Sequence, residues 1–308
     1  MKTVRNYLSL IKFSHTIFAM PFALVGFFLA SRNIFFAWLA VQHQDYIPAS
    51  WVIEYQRPKP LWVIFVLVIL CMVFARSAAM AFNRYLDRKW DALNPRTAIR
   101  QIPKGIISPG HALFFVIVNC ILFVAATWFI NRICFFLSPI ALAVVLGYSY
   151  TKRFTALCHL VLGLGLSLAP IGAYLAVTGS FDPLPVLFSF AVLFWVSGFD
   201  IIYALQDIDF DKSHQLYSIP AWLGKARALR VSEFLHVLSA ASVMIAGWLG
   251  SFGILYWAGV LVFVGCLIYQ HSIVRPDDLR KVNIAFMTMN GIASVVFAIF
   301  VIADLFVH

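Results

Sequence analysis

Asn83, Asp87 and Asp91 stand four residues apart in FNRYLDRKWD (82–91), and GFDIIYALQDIDFD (198–211) carries Asp200, Asp207, Asp209 and Asp211. The whole chain has 13 Asp and Glu, and six of them fall in these two stretches. At about 100° per residue, Asn83, Asp87 and Asp91 lie within about 80° of one another on a helix. By the same arithmetic Asp200, Asp207 and Asp211 lie within about 40°, while Asp209 points to another face. Like charges stacked on one face destabilise a helix by a few tenths of a kcal/mol per pair, and more where they are partly buried at a membrane boundary. Something cationic is expected to share each stripe. Neighbouring Arg and Lys at a solvated helix end would suffice for one stripe, but two such stripes, each followed by a basic loop, suit a metal better. Hard oxygen ligands with basic groups close by fit Mg²⁺ bridged to a diphosphate. Neither loop has the glycine and terminal glutamate of an EF-hand.

The elements that must position these residues are apolar. Of the 308 residues 62% are hydrophobic and only 12% charged, and the mean hydropathy is +0.89. A soluble domain carries about twice that charged fraction. Apolar windows recur at the length that crosses ~30 Å of hydrocarbon, and LWVIFVLVILCMVFA (61–75) does not alternate as a barrel strand would. The chain therefore reads as all-α, one integral domain over 1–308. Nine spans are expected near 11–30, 61–82, 111–130, 134–150, 157–178, 184–206, 231–249, 252–270 and 284–306. With a cytoplasmic N-terminus, the outward loops hold only Arg32, Arg57, Lys59 and Arg132 of the 23 Lys and Arg. That bias puts both acidic stretches on the cytoplasmic side of an inner membrane. The net charge of +10 then reports topology and anionic lipid headgroups, not nucleic acid.

The basic start MKTVRNYLSLIKFSHTIFAM is interrupted by polar residues and reads as retained rather than cleaved. Five scattered cysteines without CxxC spacing imply neither a disulfide framework nor a zinc site. The stretch 31–60 reads as an outward loop anchored by Trp51 and Tyr55. GLGLSLAPIGAYLAVTG (163–179) has small residues at close spacing, suited to tight helix packing or to room for an isoprenoid tail. The two acidic stretches are four helices apart, each followed by a proline-containing basic loop, a hint of an internal repeat. A Mg²⁺–diphosphate at a membrane surface points to a lipid diphosphate. Metal and basic groups would take up charge on the leaving diphosphate, and aromatic faces would stabilise the allylic cation left behind.

At these motifs the chain resembles the UbiA superfamily of intramembrane prenyltransferases. NRYLDRKWDALNPRT matches the family's N-x-x-x-D-x-x-x-D motif, and DIIYALQDIDFD matches its D-x-x-x-x-x-x-D motif. YTKR (150–153) and KFSHTIFAMPFAL (12–24) look like further family segments. The resemblance implies a helical bundle around a cavity that opens to the cytoplasmic leaflet and sideways to lipid. It implies that Asn83, Asp87, Asp91, Asp200, Asp207 and Asp211 hold Mg²⁺ against a polyprenyl diphosphate, with Asp87, Asp91, Asp200 and Asp207 at the reaction. Arg96 and Lys152 match diphosphate contacts, and Arg100 and Arg153 are further candidates for the diphosphate or an acceptor carboxylate. Tyr203 would orient a carboxylate or line the cation's pocket.

The activity so implied is electrophilic prenylation of a small aromatic acid, foremost 4-hydroxybenzoate, in respiratory quinone synthesis. The segment RSAAMAFNRYLDRKWDALNPRT also looks similar to the futalosine-route menaquinone branch, and haem, chlorophyllide and glycerol-phosphate lipids are other acceptors in the family. Arg84 stands where many ubiquinone-pathway members have Asp. His15 is a candidate base for the ring proton, although a histidine at a helix end is more often structural; His214 and His271 read as loop residues without a role. Outside the enzyme class, an ion-coupled transporter would place such acids near the bilayer midplane, and a helical scaffold gives no reason for two aligned stripes.

Overall fold

The computed structural model describes residues 2–11, 18–43 and 59–308. All its regular elements are helical. A short α1 (Lys2–Leu10) precedes α2 (Met20–His43) and α3 (Leu61–Leu86), which ends in the stub α4 (Arg88–Leu93). Then follow α5 (Pro109–Ile130), α6 (Arg132–Thr151), α7 (Cys158–Thr178) and α8 (Pro183–Ala204). A 3-10 turn at Leu205–Asp207 leads into α9 (Ile208–Ser213) and α10 (Ile219–Leu223). The chain closes with α11 (Lys225–Leu249), α12 (Ile254–Ile273), a π-helical stretch at Ile284–Met289 and α13 (Asn290–Val307). Eight helices among the described residues are long and apolar enough to cross a membrane, with the apolar part of α2 (Met20–Arg32) beside them. Eight of the expected nine spans agree with these helices to within their ends. The first, expected near 11–30, meets α2, which begins at Met20 and runs on past it, with 12–17 outside the described residues. The protein is a multi-pass membrane protein.

Three expectations change. The stretch 31–60 is not loop from its start, because IFFAWLAV (34–41) offers neither glycine nor proline to stop a helix and α2 runs on to His43. Trp51 and Tyr55, its expected anchors, lie outside the described residues, as does His15. His271 lies in the last turn of α12 rather than in a loop, its Nε2 2.7 Å from His236 Nδ1. The acidic stripes do not ride on continuous helices either. At Asp87 (φ −86°, ψ 1°) α3 breaks and restarts as α4. Likewise α8 breaks into the 3-10 turn before α9. The two acid-bearing helices thus end in the same way, a long span followed by a short bent stub.

Packing brings those ends together. An aromatic core of Phe22, Phe188, Trp195, Tyr256, Phe263 and Phe297, with Val243 and Ala246 between them, joins α2, α8, α11, α12 and α13. Small side chains (Ala19, Ala23, Ala30, Ala169, Ala173, Ala176) let α2 and α7 close on α3. A third cluster, with Ile201, Ile202, Leu205, Ile219 and Val274, pins the break after α8 against the ends of α11 and α12. Since lipid tails are as apolar as leucine, close packing of small residues is what holds such helices side by side. Gly163 on α7 shows how close that packing is. A Cβ there would collide with the Leu193 carbonyl oxygen of α8 and with Ser197 Oγ. Another face of α7, with Gly165, Ala169, Gly172 and Ala176, lines a cavity instead. The small residues of 163–179 therefore serve both packing and space.

Gly163→Val forces α7 away from α8 and is expected to destabilise by about 1–3 kcal/mol. A Cβ at Gly172 meets no atom within 4 Å, so Gly172→Ala is expected to keep the wild-type melting temperature. Melting of detergent-purified protein, followed by size-exclusion fluorescence, compares the two.

Candidate active site

Both broken helix ends open onto one cavity of about 300 Å³. Asn83, Asp87 and Asp91 line it from α3 and α4, and Asp200, Asp207 and Asp211 from α8, the 3-10 turn and α9. Arg96, Arg100, Lys152 and Tyr203 line it too. Of the expected metal ligands and substrate contacts, only Arg153 lies outside the lining. It backs the wall, donating to Leu86 O at 3.2 Å, with its guanidinium 4.6 Å from the Trp90 ring centre. Asp209 is exposed and away from the cavity, as its helix angle requires.

The acids are not a solvated helix end, for Asp87 is 2% and Asp91 6% exposed. Each is met by a counter-group. Lys152 Nζ is 2.6 Å from Asp87 Oδ2, with Arg153 Nη2 3.8 Å from Oδ1. Arg100 Nη1 is 2.6 Å from Asp91 Oδ1. Asn83 Nδ2 donates to Asp87 Oδ2 at 3.2 Å, which keeps the stripe's spacing across the helix break. Arg96 makes a two-pronged ion pair with Asp207, its Nε 3.1 Å from Oδ1. That pair ties the loop after α4 to the turn after α8 and joins the two stripes. Asn94 supports it from both sides: its Nδ2 donates to Asp207 at 3.3 Å, and its Oδ1 accepts from the Arg96 N–H at 2.9 Å.

Four contacts were not legible in the sequence. His159, 3% exposed on α7, has Nδ1 2.7 Å from Asp200 Oδ2, and its Nε2 accepts from the Ile219 N–H at 3.3 Å. The second bond gives Nε2 the lone pair, so Nδ1 carries the proton and donates to Asp200. Ser218 Oγ donates to Asp211 Oδ2 at 2.8 Å. The Tyr217 N–H donates to the Lys152 carbonyl oxygen at 2.7 Å, which fixes the turn that carries Lys152. Residues 217–219 thus strap the cavity's edge to both stripes. A polar residue inside an apolar span is the signal that could have found His159; Ser218 and Tyr217 carry none. Tyr203 stacks on Phe286 with ring centres 4.2 Å apart, and the Arg96 guanidinium lies 4.9 Å from the Tyr203 ring centre.

At its deep end the acid cavity meets a second, apolar chamber of about 390 Å³. Arg76, Met80, Tyr148, Leu162 and Leu166 line both. The chamber's wall includes Ile140, 61% exposed in the middle of α6 on the flank of the bundle, so it opens sideways toward lipid, and Phe181, 62% exposed in the turn between α7 and α8.

A family model, the UbiA prenyltransferase family, matches residues 46–292. The chain belongs to this family. The 4-hydroxybenzoate octaprenyltransferase of Aliivibrio salmonicida is 32% identical over 241 residues, 77% of this chain and 83% of that protein. The enzyme of the same name from Nitrosomonas eutropha is 30% identical over 80% of this chain and 86% of its own length. Among solved structures, a UbiA homologue from Aeropyrum pernix K1 superposes with a TM-score of 0.75 at 30% identity, covering 95% of this chain and 97% of that one. A UbiA homologue from Archaeoglobus fulgidus, solved bound to DMAPP and Mg²⁺, shares the fold with a TM-score of 0.73 at 20% identity, covering 98% of this chain and 100% of that one.

The acids of this UbiA-family chain are hard oxygen donors, the kind a divalent cation takes, although no three of them among the described residues are grouped to hold one. Asp87 Oδ1 and Asp91 Oδ2 are buried without a hydrogen-bond partner, and the Arg153 guanidinium stands 3.8 Å from Asp87 Oδ1. Burial pushes the Asp87 carboxyl above its usual range, against the pull of the Lys152 ammonium. The folded state then holds the Asp87 proton more tightly than the unfolded chain does. Its contribution favours the fold at acid pH and fades as pH rises through the raised value. In chelator-treated protein, wild type should therefore lose melting temperature relative to Asp87→Asn over the range of pH that runs upward from the ordinary carboxylate value. A difference that stays flat across this range would mean that Asp87 is not held against its charge.

Proposed function

We propose that the protein transfers a polyprenyl group from a polyprenyl diphosphate to an aromatic acid, with 4-hydroxybenzoate as the acceptor, in respiratory quinone synthesis. The observation that carries this reading is the junction of two unlike cavities. A cage of carboxylates and bases is continuous with an apolar chamber that opens to lipid, the two halves of a lipid diphosphate in negative image. The relatives named 4-hydroxybenzoate octaprenyltransferase support the acceptor.

In this reading Asn83, Asp87, Asp91, Asp200, Asp207 and Asp211 hold Mg²⁺, and Arg96, Arg100 and Lys152 bind the diphosphate oxygens as they exchange carboxylate partners for phosphate. Arg153 acts from behind by holding Asp87 and the end of α3. Bound Mg²⁺ supplies charge neutralisation for the departing diphosphate. The bond between C1 of the prenyl chain and the diphosphate oxygen breaks, and its electron pair leaves with the diphosphate. A ring carbon of the acceptor donates the pair that forms the new C–C bond, and the ring then releases a proton to water at the cavity mouth. The faces of Tyr203, Phe199 and Phe286 in the cavity wall stabilise the allylic cation, and the apolar chamber keeps water from its tail. The steep inward bias of Lys and Arg supports an inner-membrane protein with this site on the cytoplasmic side.

Detergent-purified protein given labelled geranyl diphosphate and 4-hydroxybenzoate is expected to form a lipid-soluble product only with Mg²⁺. Asp87→Ala and Asp207→Ala should each lower the rate by more than about 100-fold. Turnover that persists in both variants, or without any divalent cation, would contradict the reading.

A further inference from the structure

Residues 284–289 are wound as a π-helix, the one such stretch among the described residues. A π-turn fits an extra residue into a helix, and backbone carbonyls there go short of donors unless another group supplies them. Asn290, fully buried at the start of α13, is that group. Its Nδ2 donates to Ala285 O at 3.0 Å and to Phe286 O at 3.1 Å. Its Oδ1 accepts from Trp195 Nε1 at 2.8 Å, which ties the turn to α8. A leucine there in an unbroken helix would fill similar space without burying an amide, so the turn serves something besides packing.

What it serves is the place of Phe286. Beyond the turn α13 is fixed by Ala293, Phe297 and Val301, which all belong to the aromatic core. Without the extra residue, side chains in the N-terminal half of the turn would swing by about 100° around the axis relative to that core. Phe286 is one of them, and it lines the acid cavity. It stacks on Tyr203 with ring centres 4.2 Å apart and meets Phe199 and Phe18 edge-on, each at 5.4 Å. The Arg96 guanidinium stands over the same Tyr203 ring, and Arg96 in turn pairs with Asp207. One continuous stack therefore runs from the π-turn to the acid cage.

We propose that Asn290 is a positioning residue: by holding the π-turn it seats Phe286 against Tyr203, and this wall keeps water from the allylic cation until the acceptor attacks. The inference rests on the functional reading above. Once the diphosphate has left with its electron pair, C1 of the prenyl chain has two possible partners. A ring carbon of the acceptor gives the C–C bond, and the ring then loses a proton. A water oxygen gives a C–O bond, and loss of a proton leaves the prenyl alcohol. Excluding water decides between them. A displaced Phe286 opens the second route without altering the carboxylates and bases that grip the diphosphate.

The test uses the whole chain with Mg²⁺, labelled geranyl diphosphate and 4-hydroxybenzoate, and reads the ratio of geraniol to prenylated acid. Asn290→Leu and Phe286→Leu are each expected to raise that ratio at least about tenfold, with KM for geranyl diphosphate within about twofold of wild type. Phe286→Tyr, which keeps a ring in the wall, should hold the ratio within about threefold. The double variant Asn290→Leu/Phe286→Leu should exceed Phe286→Leu by little, because both act through one wall. A purely structural role for Asn290 would slow both products in parallel and leave the ratio unchanged, which overturns the proposal. If Asn290→Leu does not fold, Asn290→Asp replaces it, since it keeps the size and the acceptor for Trp195 but lacks the two amide hydrogens; an unchanged ratio there overturns the proposal equally. Effects of Asn290 and Phe286 that multiply also overturn it and leave the functional reading intact. A wild type that forms no prenylated acid with Mg²⁺ present overturns both.

Discussion

Asp87, Asp91, Asp200, Asp207 and Asp211 surround one cavity, and they cannot all remain ionised in a low-dielectric wall unless positive charge is interleaved with them. The rest of the structure follows from that constraint. Each acid is matched to a base or a hydrogen-bond donor, and the match between Arg96 and Asp207 crosses 111 residues of sequence. It therefore fixes how the two halves of the bundle meet. The pairs also leave Asp87 Oδ1 and Asp91 Oδ2 without hydrogen bonds, so the cage is balanced in charge but incomplete in coordination. That state suits a site that exchanges its internal ion pairs for a metal and a diphosphate.

The membrane sets the second condition. The acids sit where the long helices α3 and α8 end and break, at the boundary between hydrocarbon and water. Stubs, turns and the 217–219 strap can there satisfy backbone groups that the bilayer core would leave bare. Deeper in, α7 divides its small residues between two tasks. Gly163 lets α8 approach, and Gly165, Ala169 and Gly172 leave the apolar chamber open. A charged cage and a greasy chamber meet at Arg76 and Tyr148, the point at which a substrate with both characters must change environment.

Much of this is legible in the sequence because the signals are local. Apolar windows of about twenty residues locate the spans, and the spacing of Asn83, Asp87 and Asp91 puts three oxygen-bearing groups on one side of a helix. What is not legible depends on contacts distant in sequence. Nothing near His159 or Ser218 announces a bond to Asp200 or Asp211. The breaks at Asp87 and Leu205 escape notice because periodicity continues across them: the Asp91 N–H still bonds the Asp87 carbonyl at 2.8 Å. Arg76 reads in sequence as a basic residue near an inward helix end. Only the fold brings it to the meeting of two cavities.

On the proposed function both stripes grip one metal–diphosphate together. A double-mutant cycle between Asp87 and Asp207, read as Mg²⁺-dependent binding of geranyl diphosphate by calorimetry, tests this most directly. If the stripes act as one site, Asp87→Asn and Asp207→Asn each remove most of the binding, and the double variant loses little more. Losses that simply add would mean two independent sites and would contradict the account.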